Sequence, residues 1–117
     1  MINISILENR KLDLISEVEV SGHANYSYHG NDIVCAAVST LVFTLIASMS
    51  EVIGLDEKKY EYIIDSENDL IRLKFFTEIL SKEEIRSIDL LTKMFKTGII
   101  NSIEDYKEYA TVTIEEV

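Results

Sequence analysis

Between Ile33 and Met49 the chain carries no charged residue, and few kinds of fold can accommodate such a stretch. Its length sits at the lower limit of a membrane span, roughly 17 residues. Ser39, Thr40, Thr44 and Ser48 dilute it, and it is bounded by Asp32 and Glu51 rather than by Lys or Arg. Half-buried strand patterns lie on both sides of it. The stretch therefore reads as the buried central helix of a soluble fold. Asp32 is expected to cap it, and it should run to about Val52 or Ile53 and stop before Gly54. One layer of sheet in a chain of 117 residues cannot cover every side of such a helix. A homodimer formed through its far side is the expected remedy.

The flanking segments alternate with a period of two. Ile2, Ile4 and Ile6 alternate with Asn3 and Ser5, which predicts a strand over 2–8. After the polar turn Asn9-Arg10-Lys11, Leu12, Leu14, Val18 and Val20 continue the pattern with Asp13, Glu17 and Glu19 on the opposite face. These strands form an antiparallel hairpin with one wet face. Tyr60, Tyr62 and Ile64, then Ile71, Leu73 and Phe75, predict a second hairpin around the turn Asp65–Asp69. Ser81 followed three residues later by Glu84 has the form of a capping box. Ile85, Ile88, Leu91, Phe95 and Ile99 then recur at helical spacing, with Gly98 as a plausible stop, and Ala110, Val112 and Ile114 predict a closing strand. The order ββαββαβ implies one α+β domain spanning 1–117, with two main helices packed on a mostly antiparallel sheet.

Composition narrows the function. The chain has 21 acidic and 11 basic residues, for a formal charge of −10. Phosphate contacts are made largely by Lys and Arg, so direct nucleic-acid binding is not expected. A basic protein partner would be attracted over a Debye length of about 8 Å at physiological salt, although solubility alone accounts for an acidic surface. One cysteine excludes an intrachain disulfide, which together with the lack of a leader pattern at Met1–Glu8 predicts a reducing, cytoplasmic home and no membrane association.

The residues from Gly22 to Asn31 break all periodicity and read as a long surface loop, the kind that carries function or disorder. Cys35 follows the expected cap by three residues, which places it in the first helical turn. Unpaired N–H groups and the helix dipole there favour a thiolate and could stabilise an oxyanion. A buried, inert thiol is the competing reading. His23, at the exit of the second strand, is the first-ranked base for Cys35, and His29, mid-loop, is the rival. His23, His29 and Cys35 match no common zinc spacing and lack a fourth ligand, so no metal or other cofactor is expected.

At these residues the chain resembles a known family. Gly22-His23-Ala24, a loop ending in Gly30, and Asp32-Ile33-Val34-Cys35-Ala36-Ala37-Val38-Ser39 are similar to the motifs of the ribosomal-processing cysteine proteases called Prp. The resemblance implies a homodimeric endopeptidase with Cys35 as nucleophile and His23 as proton acceptor. It further implies removal of an N-terminal extension from bacterial large-subunit ribosomal protein twenty-seven, a step in ribosome assembly, with cleavage after paired aromatics and before a small residue. Gly22, Gly30, Asp32 and Ser39 match as supporting residues, and Tyr26, Tyr28 and His29 lie in the loop expected to close over the peptide. A non-catalytic ribosome-associated peptide-binding dimer and another acyl-thioester enzyme are the alternatives.

Overall fold

A computed structural model describes the backbone of residues 1–22 and 29–117 and the side chains of 1–22 and 33–117. The elements are β1 (Ile2–Asn9), β2 (Leu14–Ser21), α1 (His29–Glu51), β3 (Tyr60–Asp65), β4 (Leu70–Phe75), α2 (Lys82–Ile103) and β5 (Ala110–Glu116), with short 3₁₀ turns between some of them. The strands form one sheet in the order β3-β4-β2-β1-β5. Among the described residues, β1 and β5 pair in parallel and the other pairings are antiparallel. The α+β reading and its element order therefore hold.

Alternation sorts the sheet into two faces. Ile2, Ile4 and Ile6 of β1, Val18 and Val20 of β2, and Leu73 and Phe75 of β4 are all buried. The register confirms that they share a face, because Ile4 lies opposite Val20, Ile6 opposite Val18, and Val18 opposite Leu73. The reverse face is polar. There Arg72 Nη2 meets Glu19 Oε1 at 3.0 Å, and Thr111 Oγ1 donates to Asn3 Oδ1 at 2.9 Å. The first hairpin departs from simple alternation at one point. The register slips between Leu7 and Glu8, so that Glu8 faces Ile15 while Leu7 faces Glu17. The extra residue, Ser16, puts Ile15 on the same face as Val18, and both are buried. The turn also runs longer than its sequence suggests: Asp13 takes a left-handed φ of 51°, and β2 begins at Leu14 rather than Leu12.

By length and composition α1 could cross a membrane. Its side chains show how it is used instead. Val34, Val38, Val42, Leu45 and Met49 recur at helical spacing and join the same buried cluster as the sheet face. The opposite side, including Ile33, Phe43 and, just past the helix, Val52, is exposed. The helix is thus one-sided rather than buried all round. Two of its hydroxyls bond back within the helix, Thr44 Oγ1 donating to the Thr40 carbonyl at 2.6 Å and Ser48 Oγ to the Thr44 carbonyl at 2.7 Å. Gly54, at φ 58°, turns the chain away so that the Leu55 N–H reaches the Met49 carbonyl at 2.7 Å.

α2 begins with the expected capping box. The Glu84 N–H donates to Ser81 Oγ at 3.1 Å, and the Ser81 N–H returns to Glu84 Oε1 at 2.8 Å. The Lys59 ammonium, followed by the Ser81 N–H, holds the Glu84 carboxyl below its usual range. Gly98 does not end this helix, which continues to Ile103. A Cβ at Gly98 would stand 3.3 Å from Leu41 Cδ2 of α1. Glycine is there for close helix–helix approach, a role that local sequence does not distinguish from a stop. Gly98→Val is expected to lower the unfolding free energy by about 1–3 kcal/mol through overpacking. An unchanged midpoint in urea would show that the two helices part freely at this point.

Candidate active site

The described part of Cys35 country is a cleft of about 150 Å³ between α1 and the ends of the central strands. Cys35, Ser39 and Phe43 line it from α1, Gly22 from the end of β2, and Ile64 and Ile71 from the second hairpin. The spacing of four brings Ser39 onto the same wall as Cys35, as expected for one helical turn. Cys35 is half-buried, packed on the core yet open to the cleft. Its thiol is therefore neither sealed in the interior nor free on the surface.

Two expectations about the surroundings of Cys35 change. α1 starts at His29, so Asp32 lies within the first turn and is not the N-cap. His29 and Gly30 likewise belong to the helix rather than to the loop. Cys35 then falls in the second turn, beyond the first four N–H groups that a helix leaves unpaired. An oxyanion site built from those end groups beside Cys35 is not supported by this placement. The boundary was misread because Asp32 precedes the uncharged run, whereas the polar residues before it are also helical. His23, Tyr26 and Tyr28 lie outside the described residues, as do the side chains of His29 and Asp32.

Gly22 has a clear structural reason. Its φ is 86°, and a Cβ there would collide with the backbone carbonyl of Met1. Its N–H donates to the Asp69 carbonyl at 3.2 Å, tying the exit of β2 to the second hairpin. On that hairpin Asp65 accepts from Asn68 Nδ2 at 2.7 Å and from the Asn68 and Glu67 N–H groups, each at 3.1 Å. The Asn68 side chain is the largest cause that pulls the Asp65 carboxyl below its usual range. Asp65 is thus a fixed negative group at the rim of the cleft.

Phe43, Ile64 and Ile71 were not singled out by sequence as site residues. A signal for them existed: Phe43 is the one aromatic in the uncharged run, and Ile64 and Ile71 face each other across the predicted hairpin. Nothing local showed that these three side chains would share a wall with Cys35. Among the described residues, no three His, Cys, Asp or Glu side chains converge on a metal position. The set His23, His29 and Cys35 includes side chains outside that description.

The family model for cysteine protease Prp matches residues 1–111. The chain belongs to the Prp family of cysteine proteases. It is 32% identical to the ribosomal processing cysteine protease Prp of Bacillus subtilis (strain 168), over 97% of this chain and 96% of the relative. SMU.848 from Streptococcus mutans superposes with a TM-score of 0.82 at 27% identity, covering 100% of this chain and 96% of that one. The ribosomal processing protease Prp from S. aureus, solved with a substrate peptide, gives a TM-score of 0.78 at 20% identity over 98% and 100%.

Cys35 is the chain's single cysteine, and Gly22 closes the same cleft from the end of β2. Gly22→Ala should strain both the backbone conformation and the contact with Met1. The expected loss is on the order of 1–3 kcal/mol, read as a lowered thermal midpoint. A variant as stable as the parent would mean that the strand exit tolerates a shift.

Proposed function

We propose that the protein is a cytoplasmic cysteine endopeptidase in which Cys35 is the nucleophile and His23 the proton acceptor. The observation that carries the pairing is that Gly22 and Cys35 line one cleft, and His23 is bonded directly to Gly22. The chain therefore leaves the cleft wall at the residue proposed as base. In the reaction the imidazole accepts the thiol proton, the thiolate sulfur attacks the scissile carbonyl carbon, and the C–N bond breaks. The imidazolium returns the proton to the departing amine. Water then attacks the thioester, restores the thiol and releases the acid.

The proposed substrate is the N-terminal extension of large-subunit ribosomal protein twenty-seven, cut after aromatic residues and before a small one during ribosome assembly. Family membership and the relative in Bacillus subtilis, a ribosomal processing cysteine protease, support this reading. The apolar side chains of Phe43, Ile64 and Ile71 in the cleft suit an apolar residue next to the cut. Tyr26 and Tyr28 complete the proposal as substrate-loop residues, with His29 at the first position of α1 and Gly22, Gly30, Asp32 and Ser39 in support.

Cys35→Ala and His23→Ala should each remove cleavage of an aromatic-aromatic-small peptide, with circular dichroism unchanged. His29→Ala should keep most activity. If the His29 variant is as inactive as the His23 variant, the base has been misassigned.

The functional unit is proposed to be a homodimer. Ile33 and Val52 on and beside α1, with Tyr62 on β3, are large apolar side chains outside the cleft that this fold leaves exposed. Sedimentation should give twice the chain mass at micromolar concentration. A monomer with no binding of an apolar dye would refute the dimer.

A further inference from the structure

A second concavity lies across β1 from the Cys35 cleft. The groove of about 510 Å³ between the end of α2 and the start of β5 is lined by Ile100, Ile103, Glu104, Lys107, Ala110 and Val112, with Thr111 at its edge. The two depressions share a boundary: Ile2 lines the cleft, and its partner in the parallel ladder, Ala110, lines the groove.

β5 is also an open edge. Its only sheet neighbour among the described residues is β1. The ladder begins with the Ile2 N–H donating to the Tyr109 carbonyl, and ends with the Val117 N–H donating to Glu8 and the Arg10 N–H donating to the Val117 carbonyl. In a parallel pair, alternate residues turn both backbone groups to the same side. Odd-numbered residues of β5 therefore face β1, and Ala110, Val112, Ile114 and Glu116 direct their N–H and carbonyl groups outward. No proline interrupts the edge, and an extended peptide could pair along it.

Charge selects the visitor. From Glu104 to Val117 there are five acidic residues and one basic residue, Lys107. Glu116 is already matched by Arg10 Nε at 2.6 Å, which leaves Glu104, Asp105, Glu108 and Glu115 around the groove and edge. A second copy of this chain would bring the same negative charges to a pairing of two β5 edges, which disfavours it.

We infer that the groove and free edge of β5 form an exosite that binds a basic, extended segment of the same polypeptide whose scissile bond enters the Cys35 cleft. The inference rests on the protease reading above and adds a second point of attachment to it. From β2 to a strand beyond β5 is three strand spacings of about 4.8 Å, which roughly four or five extended residues can span. Backbone pairing holds the segment in register, alternate apolar side chains enter the groove toward Ile100 and Ile103, and the intervening basic side chains meet the carboxylates.

The test compares two peptides. One carries only an aromatic-aromatic-small cleavage site; the other adds a five-residue Gly/Ser spacer and Lys-Val-Lys-Val-Lys-Val. With the parent enzyme the long peptide should have a KM about tenfold lower at similar kcat, and the advantage should shrink as salt is raised. Val112→Pro removes one outward N–H while leaving the β1 ladder intact, and should abolish the advantage without changing turnover of the short peptide. Glu108→Lys combined with Glu115→Lys should do the same if the proline variant fails to fold. Equal KM values with the parent, or an advantage that survives both variants, would overturn the exosite. Self-association lost on Val112→Pro would also overturn it, by showing that a second copy occupies the edge. If neither peptide is cut, the protease reading fails. Fluorescence anisotropy of labelled Lys-Val-Lys-Val-Lys-Val on parent and Val112→Pro proteins then decides the exosite by itself, with tight binding to the parent alone in its favour and equal binding against it.

Discussion

Val34, Val38, Val42 and Met49 of α1 share a single buried cluster with Ile4, Val18 and Leu73 of the sheet. Each such side chain contributes about 1.5–3 kcal/mol when it leaves water. This contact fixes the helix across the central strands, and the helix in turn fixes the height at which Cys35 and Ser39 stand above the strand ends. α2 is held against the same layer by Ile88, Phe95 and Ile99 and by the close approach of Gly98 to Leu41. A thiol half-exposed in a cleft is thus a by-product of a fully apolar stripe one residue away.

Much of this architecture was legible because two physical periods coexist in the chain. Strict alternation in Ile2–Ile6 and Ile71–Phe75 marks strands with one dry face. The spacing of Ile88, Phe95 and Ile99 marks a helix with one buried side. What local pattern does not contain is which strands become neighbours. The parallel pairing of β1 with β5 joins segments a hundred residues apart, and neither segment carries a mark of the other. Gly98 was read as a stop because its contact with Leu41 depends on another helix. α1 starts four residues before the position that the sequence predicts, because a capping residue type, Asp32, happens to sit inside it. At the site, Cys35 and His23 were singled out by residue type and motif. The apolar wall from Phe43, Ile64 and Ile71 emerges only after three elements come together.

The polar inventory follows a different logic from the core. Glu17 and Glu19 crowd one sheet face, and Arg72 answers them from β4, raising the guanidinium further above its already high range, chiefly through its bond to Glu19. Lys96 reaches Glu8 at 3.1 Å, and Lys59 reaches Glu84 at 2.8 Å. Such partly exposed pairs add little each. Their main effect is to spend several of the few cations locally, so that the remaining surface is more uniformly negative than the total charge suggests.

The pairing of β1 with β5 also orders events during folding. Ile2 finds Ala110 only across a long loop, and closing a loop of that size costs on the order of 4 kcal/mol in chain entropy. The two hairpins and two helices are local and can assemble sooner. On a ribosome, β1 must therefore wait with one edge open until residues 110–116 emerge. Ile2 belongs at once to this last-closed seam and to the lining of the Cys35 cleft. The last strand to arrive thereby fixes, through its pairing with β1, the seat of one side chain that lines the cleft.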